Sequence, residues 1–391
     1  MVPGTSDRDL LLTLGRHEEL TGYVAAAIQR IDPDPESTLF GLARGVDGWG
    51  RIEIVEMLAG TTRVDIQDWL VRTGFRNTIM YEYLAGIAAT TGHLLDRLRA
   101  TEPDDELIDS AADIISALIR GGPTIGIHGV ADAPQLVEVM LDILERRGRR
   151  PAHFVVVEEI DDFLRYLDDE TGSDHDWPQQ TCDRLMDTCR RIMDQGHWPA
   201  LAAADLAAQD RQKFWAAEHT ARALGMETFD AQMRRLRTGL DWSWSAVMEL
   251  ADDARIDSIL ALAEHSFPLD TMATGALSRL DPGPLWRMHT ELGSIVACLG
   301  KFHGRGWSLI AVGLRSPLPR VRLATVTTLN KWPSHDWPTQ AADHLRAAAS
   351  VEPDDRIRRY MEEVLAHPGP AILQLRIRPR RRSRPRQVGW Q

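Results

Sequence analysis

Cysteine is scarce in this chain of 391 residues, which holds three: Cys182, Cys189 and Cys298. Three cannot build a disulfide framework, so a reducing, cytoplasmic setting is the expectation. No apolar run reaches the roughly 18 residues that a membrane-spanning helix needs. The first nine residues, Met1 to Asp9, lack a basic start followed by an apolar stretch, so no secretory leader is expected. A P-loop is absent, and the run Gly121-Gly122-Pro123-Thr124-Ile125-Gly126 follows a helical pattern where a dinucleotide-binding turn needs a preceding strand. No Cys-x-x-Cys spacing supports zinc. Strand patterns are nearly missing too. The one candidate, Phe154-Val155-Val156-Val157, is followed by Ile160, Phe163, Leu164 and Leu167 at helical spacing, which predicts a helix start there.

What is present is apolar residue in quantity and charge in an uneven distribution. With 43% hydrophobic and 26% charged residues, the chain has the composition of a protein with a large core. The formal net charge is −12, yet residues 376–391 carry seven arginines and no acid, leaving −19 on the remainder. An acidic body argues against a groove built to meet phosphates along a nucleic acid.

Helical periodicity runs through most of the chain. The expected helices cover about 8–31, 36–45, 48–59, 63–73, 76–91 and 105–120, then 133–147, 154–167 and 178–195. Others follow at 199–208, 210–224, 226–237, 243–251, 253–266, 285–300, 306–314, 318–331, 337–349 and 354–366. Thr101-Glu102-Pro103-Asp104-Asp105 opens a strong one, with acids in the first turn and Leu107, Ala111, Ile114, Ile115 and Leu118 on one stripe. Residues 121–135, rich in glycine and proline, mark a break between N-terminal helical repeats (1–120) and a second array (136–367). Pro282-Gly283-Pro284 is a softer boundary, and 368–391 is expected to be a disordered arginine-rich tail.

Two internal regularities point to repeats. Pro319-Arg320-Val321-Arg322 and Asp355-Arg356-Ile357-Arg358 each open a helix, with Val321 and Ile357 lying 36 residues apart. Ile357, Tyr360, Met361, Val364 and Leu365 form a single apolar stripe that must be covered by a neighbour. A tryptophan also precedes an arginine by 13 or 14 residues four times: Trp49/Arg63, Trp198/Arg211, Trp242/Arg255 and Trp307/Arg320. The unit would be a helix begun near Trp, a tight turn, and a helix begun near Arg. His-Asp-Trp-Pro-x-Gln occurs at 175–180 and 335–340, where Asp176 and Asp336 are expected to act as N-caps.

The Val321-Arg322 and Ile357-Arg358 units resemble HEAT-type repeats. As a whole the chain is similar to a family of uncharacterised bacterial HEAT-like proteins, through Gly74-Phe75-Arg76-Asn77-Thr78-Ile79-Met80-Tyr81-Glu82-Tyr83-Leu84-Ala85 and Phe302-His303-Gly304-Arg305-Gly306-Trp307. Some members of that family carry a limonene hydroxylase label. The resemblance implies an all-α, armadillo-like solenoid of stacked antiparallel helix pairs.

The chemistry a hydroxylase would need is weakly represented. A haem thiolate requires a cysteine in a glycine-rich loop, whereas Cys298 shares a helix face with Ile295 and Leu299. Iron-binding HEAT-type enzymes such as deoxyhypusine hydroxylase use several His-Glu pairs; here there is one, His17-Glu18, with Glu218-His219 and Glu264-His265 reversed. His175, Asp174, Asp176, Cys182 and Cys189 could gather near one metal, but core thiols beside a solvated acidic loop are the preferred reading. No cofactor, metal or catalytic residue is therefore assigned.

The polar and aromatic patch Arg76-Asn77-x-x-x-Tyr81-Glu82 remains, with Asn77 and Tyr81 four apart on one expected helix face. Together with Trp49 and Trp307 it forms a candidate interaction surface; its alternative role is hydrogen bonding and packing between helix pairs. The expected function is a non-catalytic scaffold that grips a protein partner, such as a basic segment, on a concave face. An enzyme with a site between repeats is the first alternative. A nucleic-acid binder acting through the arginine-rich tail is the second, and no membrane partner is expected.

Overall fold

The computed structural model of the chain describes residues 5–100, 102–169, 177–241, 243–276 and 285–370. Among them every regular element is helical, with twenty-two α-helices, a few 3-10 or π turns, and no strand. No helix among the described residues is long and apolar enough to cross a membrane. Trp242, the 282–284 boundary, the first His-Asp pair at 175–176 and the arginine-rich stretch 376–391 lie outside the described residues.

The helices begin where side chains can satisfy their first N–H groups. Asp34 accepts from Ser37 N, Asp104 from Leu107 N, Asp210 from Lys213 N, and Asp354 from both Arg356 N and Ile357 N. The Trp-then-Arg regularity corresponds to real helix starts. Gly48–Met57 and Val64–Trp69 begin around Trp49 and Arg63, Trp198–Asp205 and Arg211–Ala223 begin on Trp198 and Arg211, and Trp307–Leu314 and Pro319–Lys331 begin around Trp307 and Arg320. Phe154–Val157 lies inside the helix Pro151–Asp169, as the spacing predicts.

Several expectations are corrected. The single helix over 8–31 is two, Thr5–Leu14 and Glu18–Ile31, separated at Gly15, where a Cβ would sit 2.9 Å from a Val24 methyl. The helix over 76–91 is replaced by a turn, a 3-10 segment Tyr81–Tyr83 and a short helix Ala85–Thr91. Asp336 is not an N-cap. It ends a 3-10 turn, Ser334–Asp336, and accepts from His303 Nδ1 at 3.1 Å, while the following helix starts at Ala341. Leu94–Ala100 is a further helix that the pattern did not single out.

The chain divides into two compact units at Thr228/Phe229. The 121–135 segment belongs to the first: the Thr124 hydroxyl donates to the Glu82 carbonyl at 2.7 Å and Ile127 is buried. In that unit the 19-residue helix Pro151–Asp169 packs against Asp105–Arg120, Gln179–Met193 and Arg211–Ala223. Asp105–Arg120 in turn packs against Leu70–Gly74 and Ala85–Thr91. Its expected stripe, Leu107, Ala111, Ile114, Ile115 and Leu118, is wholly buried. In the second unit Pro319–Lys331 is central, packed on Trp286–Cys298, Trp307–Leu314 and Asp355–Ala366. The stripe of the last helix is covered there, with Ile357, Met361 and Val364 buried.

Within each unit, bonds recur between residues some thirty to forty-six apart. Examples are Trp49 N to Glu18 (31), Arg72 to Asp104 (32), Arg76 to Asp113 (37) and Arg191 to Glu145 (46) in the first unit. Arg322 to Glu352 (30) and Trp332 Nε1 to Leu299 O (33) do the same in the second.

Candidate interaction surface

Five of the six candidate residues come together in the first unit, around the turn that follows Gly74. A Cβ on Gly74 would lie 2.7 Å from the Trp69 ring, so only glycine lets the chain pass there. Phe75 is fully buried and meets Tyr81 edge-on at 5.4 Å. The Arg76 guanidinium lies 4.9 Å from the Phe75 ring centre and 5.8 Å from that of Tyr81, a cation–π stack. It also pairs with Asp113 at 2.5 Å and donates to Ser110 Oγ at 3.3 Å.

Asn77 is 9% exposed and spends its whole side chain on the turn. Its Oδ1 accepts from Ile79 N and Met80 N, and its Nδ2 donates to Phe75 O and Met80 O, all within 3.2 Å. An asparagine that competes with the helix for backbone groups in this way makes a turn where periodicity suggests a helix. The facing expected from four-residue spacing is therefore reversed. Asn77 folds back onto the main chain, and Arg76 is the residue that reaches Tyr81.

Glu82 anchors the next layer. Its carboxylate pairs with Arg120 Nε at 2.8 Å, and Arg120 reaches on to Glu159 at 3.3 Å and Ser116 Oγ at 2.8 Å. Ser116 also bonds Glu159. These groups sit on one polar face of Asp105–Arg120, where Asp109, Asp113, Ser116 and Arg120 recur at spacings of three and four. Burial pushes the Asp113 carboxyl up from its ordinary value; Arg76 works against this and Asp109 adds to it.

Trp49 completes the surface. Trp49 is 46% exposed and its ring stands edge-on to Tyr83 at 5.1 Å, while its backbone N–H donates to Glu18 at 3.1 Å. Asp47 Oδ1 accepts from both Gly48 N and Thr78 N, tying this helix start to the Asn77 turn. Ile79, Met80 and Ile125 are also exposed, and Ile125 packs closely over Gly86. The result is an apolar and aromatic strip set among ion pairs. The surroundings are acidic: residues 1–228 hold 40 acidic and 22 basic side chains, against 17 and 16 over 229–370.

Trp307 is separate. It is half-buried in the second unit and meets His344 edge-on at 5.4 Å. Residues that belong to the surface but carried no sequence signal of their own are Tyr83, Ser110, Asp113, Ser116, Arg120, Ile125 and Glu159. The apolar stripe of Asp105–Arg120 was legible; its polar face and the residues that meet it were not.

Elsewhere the titratable groups serve structure. Cys189 is fully buried, and burial, with Asp161 nearby, pushes its thiol up to about 12. Burial lowers the His289 pKa, and the ring lies 3.1 Å from Ser316 Oγ, which also accepts from Leu318 N. Both side chains are buried, so this pair holds a turn. No group of three or more His, Cys, Asp or Glu is arranged to hold a metal among the described residues. No known protein family matches the chain, and no characterised protein matches it.

Proposed function

We propose that this chain is a non-catalytic scaffold, a HEAT-like solenoid of stacked helix pairs, that holds a basic segment of a partner protein on the Trp49–Tyr83–Glu82 face of its first unit. The stacked-pair reading is supported by the cross-links that recur every helix pair. The observation that carries the function is the exposed strip of Trp49, Ile79, Met80 and Ile125 inside a unit with 40 acidic and 22 basic side chains. Aromatic and aliphatic side chains supply burial on contact. The acidic surroundings raise the on-rate for a cationic partner and disfavour an anionic one.

The test is fluorescence anisotropy with a labelled arginine-rich peptide that carries one aromatic residue, beside an acidic peptide of the same length. The scaffold reading expects binding of the basic peptide alone, weakened by salt, and at least tenfold weaker for Trp49→Ala. Equal binding of both peptides, or no effect of Trp49→Ala, would remove this face from the reading.

A further inference from the structure

We propose that the turn Arg146-Arg147-Gly148-Arg149-Arg150 is a binding site for a phosphate dianion, free or as a monoester. It joins the helices Ala133–Arg147 and Pro151–Asp169 and borders an open hollow of about 260 Å³. The inference does not depend on the scaffold reading.

Two of the four arginines are spoken for. Arg147 pairs with Asp105 at 2.6 Å, and Arg150 pairs with Asp109. The other two meet no carboxylate among the described residues. Arg146 Nε donates to Asp142 O, while Arg149 donates to Gly148 O and Arg146 O. Both of these guanidinium groups are exposed, and the pKa of nearby His197 is lowered first by burial and then by the Arg149 charge.

The floor of the hollow is fixed. His153 is 4% exposed, contacts Asp109 through Nε2 at 2.9 Å, and takes Arg149 N at Nδ1. These two contacts hold the ring between Asp109 and the turn. Gly148 sets the turn itself, because a Cβ there would lie 2.6 Å from Leu144 O. Four guanidinium groups against two carboxylates leave two positive charges, which matches the roughly −1.5 to −2 of a phosphate monoester at neutral pH. Arginine forks suit phosphate oxygens. This cationic hollow stands in the acidic unit, where repulsion from the rest of the surface disfavours extended polyanions and leaves small ones.

The experiment is ³¹P NMR titration of inorganic phosphate and of glycerol phosphate with the full chain in low-salt chloride buffer. The expected result is saturable binding that weakens at least tenfold in the double variant Arg146→Ala/Arg149→Ala. Those side chains touch only backbone carbonyls, and circular dichroism checks that the fold is kept. The charge-preserving double variant Arg146→Lys/Arg149→Lys is expected to fall between the two, and Arg346→Ala, in the second unit, to match the native chain. Binding of both ligands assigns a site open to esters; binding of inorganic phosphate alone assigns the free ion. No saturable shift with either ligand, or equal binding by the alanine double variant, overturns the proposal.

Discussion

The two units are both helical among the described residues and are held together differently. In the first, arginines reach across helices to carboxylates at the surface: Arg72 to Asp104 and Glu106, Arg76 to Asp113, Arg147 to Asp105. In the second the strongest tie is internal. Arg322 and Glu352 are 1% and 3% exposed and form two bonds at 2.6 and 2.7 Å, and Arg322 also donates to Ser316 O and Pro317 O. The buried Trp332 indole adds Nε1 to Leu299 O, and the half-buried Trp337 adds Nε1 to Leu329 O. A unit with 40 acids must offset its own repulsion where the charges are, at the surface. Residues 229–370, with 17 acidic and 16 basic side chains, are nearly neutral and place a strong pair in the core. Surface pairs are screened by salt and individually small; a buried pair is not.

The comparison breaks most sharply at Arg322. Arg322→Ala leaves the Glu352 charge buried without its partner, which costs about 3–5 kcal/mol. Urea unfolding followed by circular dichroism should show that loss, with hydrogen exchange rising in Pro319–Lys331 and Asp355–Ala366. Arg322→Met combined with Glu352→Leu should recover most of it, because replacing both members removes the desolvation cost along with the attraction. A loss under about 1 kcal/mol for the single variant would mean the pair is far better hydrated than its burial indicates.

In the first unit the largest single effect should come from a neutral residue. Asn77→Ala strips four bonds from a buried turn and is expected to cost about 1–3 kcal/mol, read as a shift in urea midpoint. Arg76→Ala should cost less at neutral pH, about 1 kcal/mol, because Arg76 and Asp113 are each about a third exposed. Its pH dependence is the sharper test. Burial raises the Asp113 pKa in the folded state, so this group's contribution is fully present below the unfolded carboxylate pKa of about 3.9 and is lost as pH rises through the folded value. Removing Arg76 raises that value further. The gap between Arg76→Ala and the native chain should therefore be small near pH 3.5 and widen toward neutrality; a gap independent of pH would place the loss in the ring stack alone.

The all-helical class was legible because apolar residues recur at helical spacing nearly everywhere and strand patterns almost nowhere. The helix starts at Trp49, Arg63, Trp198, Arg211, Trp307 and Arg320 were legible from spacing. What failed was local polar chemistry. Asn77 turns the chain by bonding its own backbone, which spacing alone cannot reveal when Ile79, Tyr83 and Ile87 keep a helical rhythm around it. Asp336 has the right neighbours for an N-cap, yet His303, 33 residues away, claims its carboxylate. At the surface, Arg76, Tyr81, Glu82 and Trp49 were found because they are polar or aromatic beside an apolar stripe, and Trp307 shares that property from the other unit. Their partners Asp113, Arg120 and Glu159 sit more than thirty residues away, where a single sequence carries no register.

The finest comparison is between two capping aspartates, one in each unit. Asp104 caps Asp105–Arg120 and pairs with Arg72; Asp354 caps Asp355–Ala366 through Arg356 N and Ile357 N. Both carboxyls lie below the ordinary range, Asp104 first because of Arg72 and Asp354 first because of Arg356 N. A depressed folded pKa contributes stability that is present above the unfolded value of about 3.9 and is lost as pH falls through the folded value. Alanine at either site should cost about 1 kcal/mol at neutral pH, through loss of the cap. Asparagine separates the two, since it keeps a cap oxygen and drops the charge. Asp354→Asn should recover most of the alanine loss, whereas Asp104→Asn should keep a deficit of a few tenths of a kcal/mol that shrinks in molar salt, because its missing part is an exposed ion pair. Urea midpoints of the four variants at low and high salt decide this. Equal behaviour of the two asparagine variants would show that Arg72 gives Asp104 nothing beyond its cap, and that the surface pairs of the acidic unit leave its stability unchanged.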